Sequence, residues 1–299
     1  MKVQLSSSIR KSLQSMRLVP SLLVIVAVLA VEMPSSLSAA TVAHWQFEDS
    51  PGFTADSGPN GLTLSTVGDP QKVGLPSSGR GGNFDDAPGV STSKAADFDG
   101  NDSFSTSGAA LSNLQDFTVE AFVNLDTLNA GNDRDTIVSI WETSTSARKF
   151  RFELDNGTMR APLAKTGNGS VATGVESDLT ITAGDDWYVA VAVDISKTGA
   201  GGTVFYAKNL TDDGPLLVDN DETRPDVDSL YNPSSTTPFE IGRADSVFRE
   251  PDGIYDEIHI SDTQLSQSEL LINIPEPGSF MLVGLGGGLI LFRRKRRSA

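Results

Sequence analysis

The feature that most restricts how this chain can fold is a period-two alternation of apolar and polar residues between positions 41 and 274. In Phe117-Thr118-Val119-Glu120-Ala121-Phe122-Val123-Asn124-Leu125 the odd positions are apolar and most even ones polar. Trp187, Val189, Val191, Val193 and Ile195 repeat the pattern. Phe150-Arg151-Phe152-Glu153-Leu154 does so again and runs into Asp155-Asn156-Gly157, a hairpin signal. Alternation of this kind puts one face of a strand against a core and the other toward water. Further short runs fall at 42–48, 61–67, 95–99, 136–142, 170–175, 178–182, 203–208, 215–218, 238–242 and 254–260, separated by clusters of Gly, Asn, Asp, Ser and Pro. With no long helical pattern between them, they predict an all-β fold of two antiparallel sheets. Residues 66–94 predict a long surface loop. A capping box at Ser266 and Glu269 predicts a two-turn helix over 265–271.

Both ends fall outside that pattern. Residues 1–40 carry Lys2, Arg10, Lys11 and Arg17, then an apolar run from Leu18 to Val31, then small residues up to Ala40. That order describes a secretory signal peptide over 1–40, cleaved by signal peptidase after Ala40. An uncleaved anchor helix is the alternative. The other end reads Pro275-Glu276-Pro277, an apolar stretch of 13 residues from Phe280 to Phe292, then Arg293-Arg294-Lys295-Arg296-Arg297. As a helix the stretch would extend about 20 Å, against a hydrocarbon core of about 30 Å. The cationic cluster would stay cytoplasmic, leaving the body of the protein outside.

Removing the ends sharpens the charge argument. The whole chain carries a net charge of -16. Residues 41–274 hold 14 basic and 37 acidic residues, a net charge of -23. A body this acidic repels phosphates, so nucleic acid is excluded as a partner. The chain has no cysteine, which excludes disulfides, thiolate metal sites and cysteine catalysis.

The three-part tail over 275–299 resembles the PEP-CTERM sorting signal of Gram-negative bacteria. The resemblance implies recognition by an exosortase, a membrane enzyme that acts near the Pro275-Glu276-Pro277 motif. It also implies membrane contact through the tail before processing, and delivery to the envelope surface or extracellular matrix. A plain tail anchor is the rival reading. Within the body, a series of blocks keeps a shared order: His44-Trp45-Gln46-Phe47-Glu48-Asp49, Asp56-Ser57-Gly58-Pro59-Asn60-Gly61, Ala96-Asp97-Phe98-Asp99-Gly100, the strand from Phe117, Trp187-Tyr188-Val189, Phe239-Glu240-Ile241-Gly242, Asp252 to Ile260, and Leu265-Ser266. Together they resemble the LamG-like, concanavalin A-like lectin/glucanase jelly roll over 41–274. Phe122 stands where that family usually has Trp.

The resemblance implies a structural calcium site joining the start of the domain to its end, at Glu48 or Asp49, Asp56, Asn60 and Asp256. The composition suits it, because calcium takes six to eight oxygen ligands. The alternative is that Asp56 and Asn60 only build a turn. A second acidic cluster, Asp219 to Glu222 with Asp226 and Asp228, lacks the spacing of an EF-hand loop. Trp45 and Trp187 belong to the core by alternation. Trp141, Tyr231, Phe248 and Tyr255 remain as candidate carbohydrate contacts. The glucanase strand Glu-x-Asp-x-x-Glu is absent: Glu257-Ile258-His259-Ile260 puts His259 where the Asp belongs, and hydrolysis of a glycoside needs two placed acids. The sequence therefore points to a non-catalytic exported protein that binds glycan or matrix polysaccharide in adhesion or biofilm. A structural matrix protein without a small ligand and a polysaccharide-degrading enzyme are the alternatives.

Overall fold

The computed structural model describes residues 40–48, 53–77, 79–84, 93–165, 171–220, 229–233, 236–245 and 250–274. The expected signal peptide up to residue 39, Asp49, Phe248, most of the second acidic cluster and the sorting tail with Pro275, Glu276 and Pro277 lie outside the described residues.

The fold is an all-β sandwich of two antiparallel sheets. Its strands are β1 (Thr41–Trp45), β2 (Ser65–Val67), β3 (Gln71–Gly74), β4 (Lys94–Asp99), β5 (Ser103–Ser107), β6 (Phe117–Leu125), β7 (Asp135–Trp141), β8 (Arg148–Asp155), β9 (Thr158–Ala164), β10 (Val171–Thr180), β11 (Trp187–Val193), β12 (Thr203–Asn209), β13 (Leu217–Asp219), β14 (Pro238–Ile241) and β15 (Asp252–Ser261). Sheet A runs β13-β12-β11-β6-β15-β4-β3. β1 shares the β4 side of β15, pairing its far half through Ala43 to Trp45 while β4 pairs the near half. Sheet B runs β10-β9-β8-β7-β14-β5-β2.

The predicted alternation builds the space between the sheets. Phe117, Val119, Ala121, Val123 and Leu125 of β6 meet Phe150, Phe152 and Leu154 of β8 in one buried cluster. Phe117 stacks on Phe150 at 4.4 Å and Trp45 on Phe239 at 5.3 Å. The Asn156-Gly157 turn joins β8 to β9 with φ of 51° and 83°, the left-handed pair a two-residue hairpin requires. Two expectations change. The stretch 66–94 is not wholly loop, because its polar segment Gln71–Gly74 pairs with β4 as an edge strand. The two runs at 170–175 and 178–182 form one strand, β10.

Sheet A also buries its outer face. Phe122 lies there, in contact with Phe84 and Tyr188 rather than between the sheets. The cover includes a C-terminal strap, Leu265 to Ile274, whose Leu265, Leu270 and Ile272 join that second cluster. The capping box forms as expected, with the Ser266 N–H donating to Glu269 Oε2 at 2.9 Å. The helix does not: the strap makes two short 3-10 turns, 267–269 and 271–273. Each polar residue of β6 under this cover has a hydrogen-bond partner, although Asn124 Oδ1 has none. Thr118 Oγ1 accepts the Leu265 N–H at 2.8 Å. Glu120 accepts from Tyr188 Oη at 2.6 Å and from the Leu271 N–H at 2.7 Å, and pairs with His259 Nδ1 at 2.7 Å. Asn124 Nδ2 donates to the buried Asp186 at 2.7 Å. His259 alternates outward from Ile258 and Ile260 as expected, but the strap and β1 bury it, and its Nε2 meets Thr41 Oγ1 at 3.0 Å.

Candidate functional site

The outer face of sheet B carries a lattice of charged side chains, of which Arg151, Glu153 and Glu240 are buried. Pairing register places Arg151 opposite Ser139, Ser139 opposite Glu240, Glu240 opposite Ser105 and Ser105 opposite Ser65, a polar row across five strands. A second row runs Glu176, Arg160, Glu153, Thr136. Of the arginines at 80, 134, 148, 151, 160 and 243, all but Arg80 serve this face.

The two rows interlock through ion pairs. Arg160 reaches Glu176 at 2.6 Å and Asp155 at 3.2 Å. Arg134 reaches Asp155 at 2.7 Å and Glu153 at 3.6 Å. Arg151 reaches Glu153 at 3.3 Å and Asp245 at 3.1 Å. Burial alone would raise the pKa of Asp155, but the Gly131 N–H and the Arg134 and Arg160 guanidiniums outweigh it and hold the carboxyl below its ordinary value. Glu240 is different. It is 5% exposed, its Oε1 lies 3.9 Å from Arg243, and its Oε2 has no hydrogen-bond partner. Burial pushes its carboxyl up to about 7, against the opposing charge of Arg243 and with the help of Glu142, Glu250 and Asp245. At one end of β8, Lys149 Nζ donates to the Ser112 backbone carbonyl at 2.7 Å and to Asn232 Oδ1 at 3.0 Å, and burial pulls it down to about 8.

The expected aromatic contacts separate. Trp141 belongs to this face, but guanidiniums already cover it, Arg151 at 4.4 Å and Arg148 at 5.2 Å from the ring centroid. Tyr231 is half-buried and its N–H donates to Ala164 O at 2.9 Å. Tyr255 is corrected: it is wholly buried between the sheets, with its hydroxyl donating to Thr136 O at 3.3 Å, so it packs and cannot touch a ligand.

The residues expected to hold calcium are spent on backbone groups. Asp56 Oδ1 accepts the N–H groups of His44 at 2.8 Å and Gly58 at 2.6 Å, and Oδ2 accepts that of Leu62 at 2.8 Å. Both lone pairs of Oδ1 are thereby used. Asn60 Nδ2 donates to Val42 O at 2.8 Å. Glu48 accepts from Ser93 Oγ at 2.9 Å and the Lys94 N–H at 2.8 Å. Asp256 is buried in β15 and accepts the Glu257 N–H at 2.8 Å. Among the described residues no group of three or more His, Asp or Glu side chains could hold a metal ion. The described members of this donor set, Asp49 lying outside them, do not fit calcium. The β1–β15 ladder and the His44–Glu257 pair join the first strand of the domain to the last instead. Asp219 of the second acidic cluster accepts from Ser177 Oγ at 2.7 Å and the Asp178 N–H at 2.8 Å, tying β13 to β10.

Sequence reasoning missed the charged lattice of Arg151, Glu153, Arg160 and Glu240. The signal for Arg151 and Glu153 was the charge at alternate positions of the strand from Phe150; Arg160 and Glu240 lie on β9 and β14, and the partners of all four are set by register and were not readable.

Comparison with known proteins agrees with this architecture. Residues 98–271 match the family described as the concanavalin A-like lectin/glucanases superfamily. Residues 273–297 match the PEP-CTERM protein-sorting motif. No curated protein matches the chain. Domain 4 of AbnA, a GH43 extracellular arabinanase from Geobacillus stearothermophilus solved in complex with arabinotriose, is 14% identical with a TM-score of 0.50, over 79% of this chain and 98% of that one. The botulinum neurotoxin serotype G binding domain is 9% identical with a TM-score of 0.51, over 78% of this chain. The receptor binding domain of the botulinum neurotoxin C/D mosaic serotype is 14% identical with a TM-score of 0.50, over 78% of this chain. The chain spans half the length of these two neurotoxin domains. At these identities the likeness is one of fold.

Proposed function

The chain belongs to the concanavalin A-like lectin/glucanases superfamily and carries a PEP-CTERM sorting motif, and from that premise we propose that it is an exported, non-catalytic glycan-binding protein whose ligand lies on the outer face of sheet B. The motif indicates export and association with the envelope or extracellular space. Entry through a signal peptide at 1–40, a Gram-negative envelope and processing by an exosortase complete the reading, with a role in adhesion or biofilm matrix.

One observation carries the binding half: a cross-strand lattice of arginines and carboxylates, held by mutual ion pairs, on a face that a soluble sandwich has no need to build. Fixed, planar, charged groups give sugar hydroxyls strong hydrogen bonds, and groups already ordered cost little more to order on binding. The same lattice argues against hydrolysis. Glycoside cleavage needs one carboxylic acid and one carboxylate, both available. Here Glu153, Asp155 and Asp245 are each committed to guanidiniums. Glu240, raised to about 7, has no second carboxylate left free beside it among these three.

The test is a glycan array on the mature protein, with arabinotriose among the probes, followed by titration calorimetry of any hit with Arg151→Lys. Lysine keeps the charge but loses the two-pronged geometry and the stacking on Trp141. Binding should weaken about tenfold. An empty array would instead support a structural matrix protein, and an unchanged affinity in Arg151→Lys would remove the site from sheet B.

A further inference from the structure

The strap that covers sheet A ends where the sorting signal begins. Its last buried side chain is Ile272, and the N–H groups of Asn273 and Ile274 still donate to Leu270 O at 2.8 Å and Leu271 O at 3.3 Å. The sorting match starts at residue 273, so the final 3-10 turn of the domain and the first residues of the signal coincide. Only residues 275–279 separate Ile274 from the apolar run that begins at Phe280. Five residues reach at most about 17 Å when fully extended. While the strap is docked, that length of chain is all that links the folded body to the apolar run. The chain before it is coiled in turns rather than free to lie extended in an enzyme's cleft. Release of Leu265 to Ile274 would add about 35 Å of reach.

Glu120 holds the strap at its middle. The carboxylate is wholly buried, and its Oε1 accepts the Leu271 N–H at 2.7 Å alongside the Tyr188 hydroxyl at 2.6 Å. Its Oε2 pairs with His259, which in turn meets Thr41 of β1. One side chain thus ties the strap to β6, β11, β15 and β1.

Resting on the sorting reading above, we propose that the docked strap is a latch on sorting: exosortase takes the motif from chains whose strap has left sheet A, and Glu120 is the positioning residue that sets how often it leaves. Two variants test this in hosts with and without an exosortase, with the full-length chain followed by pulse-chase and intact mass. One inserts ten Gly/Ser residues between Ile274 and Pro275, outside the fold. The other is Glu120→Gln, which removes the charge from the bond to Leu271. Conversion to the processed form should be about tenfold faster in each. In the spacer background Glu120→Gln should add nothing further, an outcome that a general loss of stability would not give. If Glu120→Gln fails to fold, the spacer variant alone decides. Exosortase-dependent conversion at the same rate in the wild type and the spacer variant would overturn the latch and leave the sorting reading intact. Equal conversion with and without exosortase would overturn both.

Discussion

Glu240→Gln should stabilise the domain at alkaline pH and destabilise it by about 1 kcal/mol or less near pH 4.5, where only the unpaired amide counts. Burial raises the Glu240 carboxyl from its ordinary 4.5 to about 7. Between those values the folded protein holds a proton that the unfolded chain has lost. Stability therefore falls as pH rises through this window and levels off above 7. A shift of that size corresponds to about 3 kcal/mol at 1.36 kcal/mol per unit. Glutamine is neutral at every pH and removes this cost. It leaves one amide N–H beside Arg243 without an acceptor, which gives back about 1 kcal/mol. The net gain at pH 8 is about 2 kcal/mol, or roughly 6 °C in Tm for a domain of this size. Urea unfolding of the mature protein, followed by tryptophan fluorescence at half-unit steps from pH 4.5 to 8.5, reads the difference directly. Asp135, raised to about 6 by burial, contributes a similar slope at lower pH to both proteins and cancels in the comparison. A gap between variant and wild type that stays constant across the range, or that widens toward acid, would refute the assignment of a neutral buried acid.

Gly253 lies in β15 where an added Cβ would sit 2.3 Å from Asn124 O and 2.7 Å from Leu125 Cα, both backbone atoms of β6. Gly253→Ala should cost more than about 3 kcal/mol, read as a fall in soluble yield and Tm. Lys149→Met should destabilise by about 2 kcal/mol, because the Ser112 carbonyl and Asn232 Oδ1 lose their donor; an unchanged urea midpoint would show that water replaces it. The backbone bonds of Asp56 and Glu48 need no cation, so EGTA should leave Tm unchanged. A drop of several degrees that CaCl2 reverses would reveal a calcium site that the described residues do not form.

The inter-sheet core was legible because its signal is local. Phe117 to Leu125 and Trp187 to Val193 alternate without exception on the side facing sheet B, and Asp155-Asn156-Gly157 names its own turn. The missed strands lack that signal. β5 (Ser103–Ser107) is Ser-rich and reads as a turn. β9 carries Pro162 among small residues, and β3 is a polar edge. Each becomes a strand because a neighbour offers a ladder, which is a fact about tertiary pairing. The Ser266–Glu269 box was correctly found, yet the strap's two short turns follow from where Leu265, Leu270 and Ile272 must reach on sheet A.

Polar alternation misled in one systematic way. Thr118, Glu120 and Asn124 occupy the even positions of β6, and the period-two rule assigns such positions to water. They are buried because the strap and the segment containing Phe84 close over them. They tolerate burial because each finds a partner at long sequence distance: Thr263 and Leu265 for Thr118, Tyr188, His259 and Leu271 for Glu120, Asp186 for Asn124. On sheet B the same rule places Arg151, Glu153, Arg160 and Glu240 outward, and there they pair with one another across neighbouring strands. The two outer faces have similar sequence patterns and both bury their charges, since Arg151, Glu153 and Glu240 are buried as Glu120 and Asn124 are. What separates them is where the partners come from: the strap and distant strands for Glu120, and guanidiniums of the same sheet for Glu153.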